Sequence, residues 1–133
     1  MAVGAVGQQL AYDFEGPTLA ASLGRAVEGY AESVADVHPS LTPDRHDIEL
    51  TGATPSALLL AVLEECLRRG REGLVAVALE GTVVDDGVLR AVVSTVPAHD
   101  PHVAAALPHV LSWHEVSLEP DDVGGWRGRV VAR

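Results

Sequence analysis

Three observations predict an α+β fold. A helix-length apolar stripe occurs twice in the first half of the chain, each stripe follows a short alternating run, and from Leu74 on the apolar runs alternate with period two. The resulting element order is β-α-β-α-β-β-β-β. A run of strands after two helices argues against a doubly wound sheet, where helices and strands alternate to the end. The 133 residues are enough for one core but not for two, and no internal repeat, low-complexity segment or linker is visible. A single domain over residues 1–133 is therefore expected.

Taken in order, residues 8–15 place Leu10, Tyr12 and Phe14 on one face and Ala11, Asp13 and Glu15 on the other, a half-buried strand. Gly16-Pro17 breaks it, and Thr18 is placed to cap a helix. Leu19, Leu23, Ala26, Val27, Tyr30 and Val34 recur at helical spacing through about Ala35. His38 to Pro43 reads as a loop. Arg45 to Thr51 alternates again, with Ile48 and Leu50 inward. Thr54-Pro55 then joins a capping residue to a proline in the first helical turn. The second helix ends near Gly70 and is apolar around much of its circumference, so it should be the more buried of the two.

The strands 74–84 and 88–96 flank Asp85-Asp86-Gly87, which favours a tight hairpin. Residues 97–108 read as a polar, histidine-bearing segment with a short turn at 104–107. A last hairpin joins Leu111–Glu119 to Trp126–Val131 across a Pro/Asp/Gly turn. A plain register would pair Glu115 with Arg129 and Ser117 with Arg127. It would also turn His114 inward with Val116 and Leu118, and leave Trp113 on the opposite face beside the arginines.

Net charge is −10, and all nine cations are arginines. Such a surface repels phosphate backbones, which argues against direct nucleic-acid binding and suits docking on a basic partner. The missing lysine, with abundant Ala, Val, Gly and Arg, is the composition that codon bias in a GC-rich genome produces, and a bacterial origin is expected. The apolar stretch Ala57–Leu63 is too short to cross a bilayer, and the first residues lack the basic region of a signal peptide. A cytoplasmic protein without membrane contact is expected.

Cys66 is the only cysteine, so an intrachain disulfide and a cysteine-built zinc site are both excluded. It lies on an apolar helix face among mixed charges and reads as a small buried hydrophobe rather than a nucleophile. His99, Asp100 and His102 crowd three possible metal ligands into four residues, with His109 as a fourth nearby. A solvated loop explains them better than a metal site. Asp13 with Glu15, Asp85 with Asp86, and Asp121 with Asp122 could hold calcium weakly, but strand faces and turns account for them. No serine sits in a nucleophile elbow and no glycine-rich phosphate loop occurs, so no enzyme is expected and no catalytic residue is assigned.

Leu111-Ser-Trp-His-Glu115 followed by Gly125-Trp-Arg-Gly-Arg-Val-Val131 resembles the closing signature of the archease family. Phe14-Glu-Gly-Pro-Thr-Leu19, Glu72-Gly-Leu74 and the stretch from Pro97 to Pro101 resemble further family segments, in the right order. The resemblance implies a two-layer fold of strand–helix–strand–strand modules, one nested in the other. It also implies a protein cofactor that helps an RNA ligase through guanylylation and turnover in tRNA splicing or RNA repair, using a divalent cation such as calcium.

The chain departs from that family where the cation would sit. The family's first strand opens His-Thr-Ala-Asp, which falls here on Val6-Gly7-Gln8-Gln9, so the carboxylate becomes the amide of Gln9. The family's closing Asp falls on Arg133, a lysine on His109, and the acidic residue before Glu-Gly-Leu on Gly70. Calcium and magnesium want several hard, preferably charged oxygens, and an amide facing a guanidinium does not supply them. An acidic residue beyond Arg133 in a longer chain would alter that.

The expectation is an archease-like assistant of an RNA ligase without a bound metal, docking through residues 97–109 and the edge near Trp113 and His114. Asp100, His109, Trp113 and His114 are its candidate contacts. The competing expectation is a binding or structural module that keeps the fold without activating a ligase. A small metal-dependent enzyme built on His99, His102 and His109 ranks last. Homo-oligomerisation is left open.

Overall fold

The computed structural model describes residues 10–34, 42–100, 102 and 112–133. Along these run β1 (Leu10–Gly16), α1 (Leu19–Val34), β2 (Asp44–Thr51), α2 (Pro55–Arg71), β3 (Leu74–Asp85), β4 (Val88–Pro97), β5 (Trp113–Pro120) and β6 (Trp126–Ala132). The order matches the expected one. The expected turn at 104–107 lies outside the described residues.

Two antiparallel sheets form, ordered β1-β6-β5 and β2-β4-β3. In each, the first strand of a strand–helix–strand–strand unit pairs with the last, which becomes the central strand. The unit β2-α2-β3-β4 is inserted between α1 and β5, so one module is nested in the other.

Local chemistry accounts for the joints. Thr18 Oγ1 accepts a hydrogen bond from Ala21 N at 3.0 Å, and Thr54 Oγ1 accepts one from Ala57 N at 3.1 Å, so both helices carry the expected caps. At the far end of α2, Arg68, Arg69 and Arg71 occupy the last turn, where positive charge suits the helix dipole. The β3–β4 turn places Asp86 at φ 51° and Gly87 at φ 75°. Two consecutive left-handed residues are the requirement of the hairpin turn whose twist matches the strands. In the β5–β6 turn, Asp121 Oδ1 accepts from Val123 N at 2.9 Å and Gly125 N at 2.8 Å, so its carboxylate organises the loop.

Both sheets contribute to one apolar cluster with the helices between them in contact: α1 packs on β1 and β3, α2 on β5, β3 and β2. Leu23, Val27 and Tyr30 of α1, Leu59, Val62 and Leu63 of α2, Leu89 and Val93 of β4, and Val130 of β6 are all buried members of that cluster. As expected, α2 buries more positions than α1, seven against five. Ser56 Oγ ties α2 to β5 by accepting from Leu118 N at 2.9 Å and donating to Leu118 O at 3.3 Å.

The pairing of β5 with β6 differs from the plain register. Trp113 pairs with Ala132 and Glu115 with Val131, so His114 is an extra residue in a bulge. Downstream, Ser117 pairs with Arg129 and Glu119 with Arg127. Because a bulge shifts the alternation by one residue, Trp113 faces the core with Val116 and Leu118, whereas His114 is exposed. Both orientations expected from strict alternation are thus reversed.

Candidate partner-docking surface

The bulge decides which side chains of β5 are available. Glu115 and Glu119 are exposed on the outer face of the β1-β6-β5 sheet and His114 is exposed at the bulge, while Trp113 is half-buried against the core. Across this face the register lines up Asp13–Arg129–Ser117 and Glu15–Arg127–Glu119. In register, Arg127 is flanked by carboxylates on both edges, whereas Arg129 has Asp13 on one side and meets Glu115, off its row, on the other.

The pairing is loose. Arg129 Nε lies 3.8 Å from Asp13 Oδ1 and 3.7 Å from Glu115 Oε1, with all three side chains about half or more exposed. Such exposed pairs contribute little to stability. The outer face of the other sheet is closer-paired: Arg90 Nε is 2.8 Å from Glu49 Oε1 and Arg45 Nη2 is 3.0 Å from Glu80 Oε2. A shallow basin of about 640 Å³ covers the first face, lined by Asp13, Glu15, Glu115, Glu119, Arg127 and Arg129 among others.

The remaining sequence candidates are dispersed. Gln9 and His109 lie outside the described residues. Arg133 is exposed, and its backbone N–H and C=O pair with Ser112 at 3.0 and 2.8 Å, extending the β5–β6 ladder. A terminal guanidinium and an amide do not fit a hard divalent cation, so no step is assigned to a metal here. Asp100 follows the end of β4 in the other sheet, where Ala98 N donates to Gly73 O at 2.8 Å and anchors the chain beside the α2–β3 joint. Asp100 Oδ1 accepts from His102 N at 3.0 Å. His99, Asp100 and His102 are exposed, and no three His, Cys, Asp or Glu side chains gather in metal-holding geometry among the described residues.

Cys66 is fully enclosed. Burial pushes its thiol up to about 12, with the charge of Glu65 adding to the shift. The neighbouring cations are engaged elsewhere: Arg69 Nε lies 2.8 Å from Glu65 Oε2, and Arg68 also pairs with Glu65. A protonated, enclosed thiol serves as core and not as nucleophile.

In the sequence Asp13 and Glu15 read as a solvated strand face, with nothing local to place them in one face with Glu115, Glu119, Arg127 and Arg129. The signal was present as outward positions of alternating runs, but it becomes a site only once β1 is known to flank β6.

No protein-family model matches this chain, and no curated protein matches it. Among solved structures it is similar to that of an archease from Thermotoga maritima, described as a possible chaperone, with a TM-score of 0.58 and 14% sequence identity. The superposition covers 92% of this chain and 87% of that one. At that identity the likeness shows the fold, and the fold of this chain is archease-like α+β.

Proposed function

We propose that this chain is a divergent archease-like protein that assists an RNA ligase as a protein cofactor, promoting guanylylation and turnover in tRNA splicing or RNA repair, and that it is not itself an enzyme. The observation that carries the reading is the terminal hairpin: its Trp-His-Glu and Trp-Arg-Gly-Arg-Val-Val segments open β5 and β6 of an archease-like fold. The chain's net charge of −10 suits docking on a basic protein and disfavours direct contact with RNA. The outer face with Glu115 and Glu119 is the docking surface in this reading, together with His114 at its bulge, Asp100 and His109. Trp113 supports that face from beneath.

The test is multiple-turnover ligation by the RNA ligase of the same organism, with and without this protein, across magnesium and calcium concentrations. Stimulation that needs no calcium is the expected result. Absence of stimulation by a folded sample, with an active ligase in hand, would overturn it. The second reading, a module that keeps the fold without activating a ligase, draws support from the amide of Gln9 and the guanidinium of Arg133 at the family's cation positions. It would then stand alone.

A further inference from the structure

We infer that the free edge of β1 binds an extended, lysine- or arginine-bearing segment of a protein partner as an added strand, gripped by Asp13 and Glu15 on one side and by Glu28 and Glu32 of α1 on the other. The inference rests on the partner-docking reading above and specifies the partner's chemistry.

The two sheets have four edge strands, β1, β5, β2 and β3. An unpaired strand edge presents a row of N–H and C=O groups to any extended chain, and proteins blunt such edges with bulges, prolines, charged side chains (lysine above all) or covering groups. β3 carries two bulges, between Ala76 and Ala78 and between Glu80 and Val83. β5 carries the His114 bulge, ends in Pro120, and has Ser56 on both backbone groups of Leu118. β2 carries Arg45, and its Glu49 is engaged by Arg90 at 2.8 Å. β1 is protected only by the carboxylates of Asp13 and Glu15, which would attract rather than repel a basic chain: its ladder to β6 runs unbroken from Leu10 to Gly16, and its sequence holds neither cation nor proline. Among the described residues no strand pairs with its other edge.

Beside that edge runs a groove of about 340 Å³ between β1 and the flank of α1. Asp13 and Glu15 line it from the strand, Glu28 and Glu32 from the helix, with Arg25 as the one cation. Glu15, Glu28 and Glu32 are exposed and make no ion pair within 4.0 Å among the described residues. Glu28 and Glu32 are also spaced i, i+4, a like-charge arrangement that weakens a helix. Edge and groove together are the arrangement used in strand addition: main-chain hydrogen bonds hold the guest, and alternate side chains are read by flanking groups. The charge selects the guest. Nucleic acid and a second copy of a chain with net charge −10 are repelled, and an extended basic segment is attracted.

The test is a titration of the ¹⁵N-labelled full chain with a capped octapeptide of alternating lysine and valine. Two controls accompany it: the same peptide with glutamate for lysine, and the lysine peptide N-methylated at every second amide. Backbone shifts centred on β1 and on the stretch Arg25–Ser33 are expected. A Glu28→Gln/Glu32→Gln variant should bind roughly three- to tenfold more weakly, and N-methylation should abolish binding. Equal binding of the glutamate peptide, binding that survives N-methylation, shifts centred on another edge, or no binding would each overturn the inference. So would a dimer that pairs β1 with itself and excludes the peptide. Ligation plays no part in the readout, so this surface and the ligase role can fail separately.

Discussion

Gly128 sits in the centre of β6 with Phe14 and Leu118 as its cross-strand neighbours, and a Cβ there would fall on the Phe14 ring. The aromatic ring fills the space the glycine leaves, as in sheets where an aromatic covers a strand glycine. Gly128→Ala should therefore destabilise by about 1–3 kcal/mol through overpacking, and much less in a Phe14→Ala background. Equilibrium urea unfolding of the four members of that cycle checks it; additive effects would mean the two residues do not share the space. The second residue-scale prediction concerns Cys66. Its folded-state thiol is raised from the usual 9.0 to about 12, so its contribution to stability is complete below 9.0 and is lost as pH rises toward 12. Tyr12 and Tyr30, both also raised by burial, act in the same alkaline direction. Stability should fall progressively above 9.0, less so in a Cys66→Ala variant, once the variant's own cavity cost at neutral pH is subtracted. Iodoacetamide should label Cys66 at neutral pH only at the rate of protein opening.

Among the elements, β5 is where local pattern and tertiary pairing disagree. Its sequence alternates cleanly, yet His114 is extruded, and Trp113 takes the core position opposite Ala132. The expected consequence is a contrast between neighbours: Trp113→Ala should cost about 2–3 kcal/mol, whereas His114→Ala should stay within about 0.5 kcal/mol. Thermal unfolding of the two variants reads this directly, and the opposite ranking would restore the plain register. The junction of β5 with α2 yields a separate expectation. Ser56→Ala removes the partner of both Leu118 N and Leu118 O and should cost about 1–3 kcal/mol. Faster amide exchange localised at Leu118 would attribute the loss to this contact; a loss spread evenly over α2 would not. The helices behave as their sequences predict because capping is decided within four residues: Thr18 and Thr54 each bond the backbone N–H three residues ahead.

For the molecule as a whole, both tryptophans lie in the β1-β6-β5 sheet, while the apolar cluster draws on both sheets and both helices. If one shared core holds the nested modules together, urea transitions followed by tryptophan fluorescence and by far-UV circular dichroism should coincide. Separated midpoints would show the modules unfolding independently. Much of this architecture was legible beforehand. The element order, the caps, the tight Asp86-Gly87 turn and the buried faces of β1 and α2 follow from periods and turn chemistry, which operate over a few residues. The surface was less legible. Outward carboxylates on β1 and outward arginines on β6 are separated by most of the chain, and only the pairing of Asp13 with Arg129 and Glu15 with Arg127 makes them one face. The sequence by itself determined which residues form strands and helices and that the chain is acidic. Tertiary structure decided three things: that His114 leaves the ladder, that β1 pairs on one edge only among the described strands, and that Glu28 and Glu32 stand beside the other. Each depends on which strand lies next to which, and local periodicity carries no information about neighbours brought together across a hundred residues.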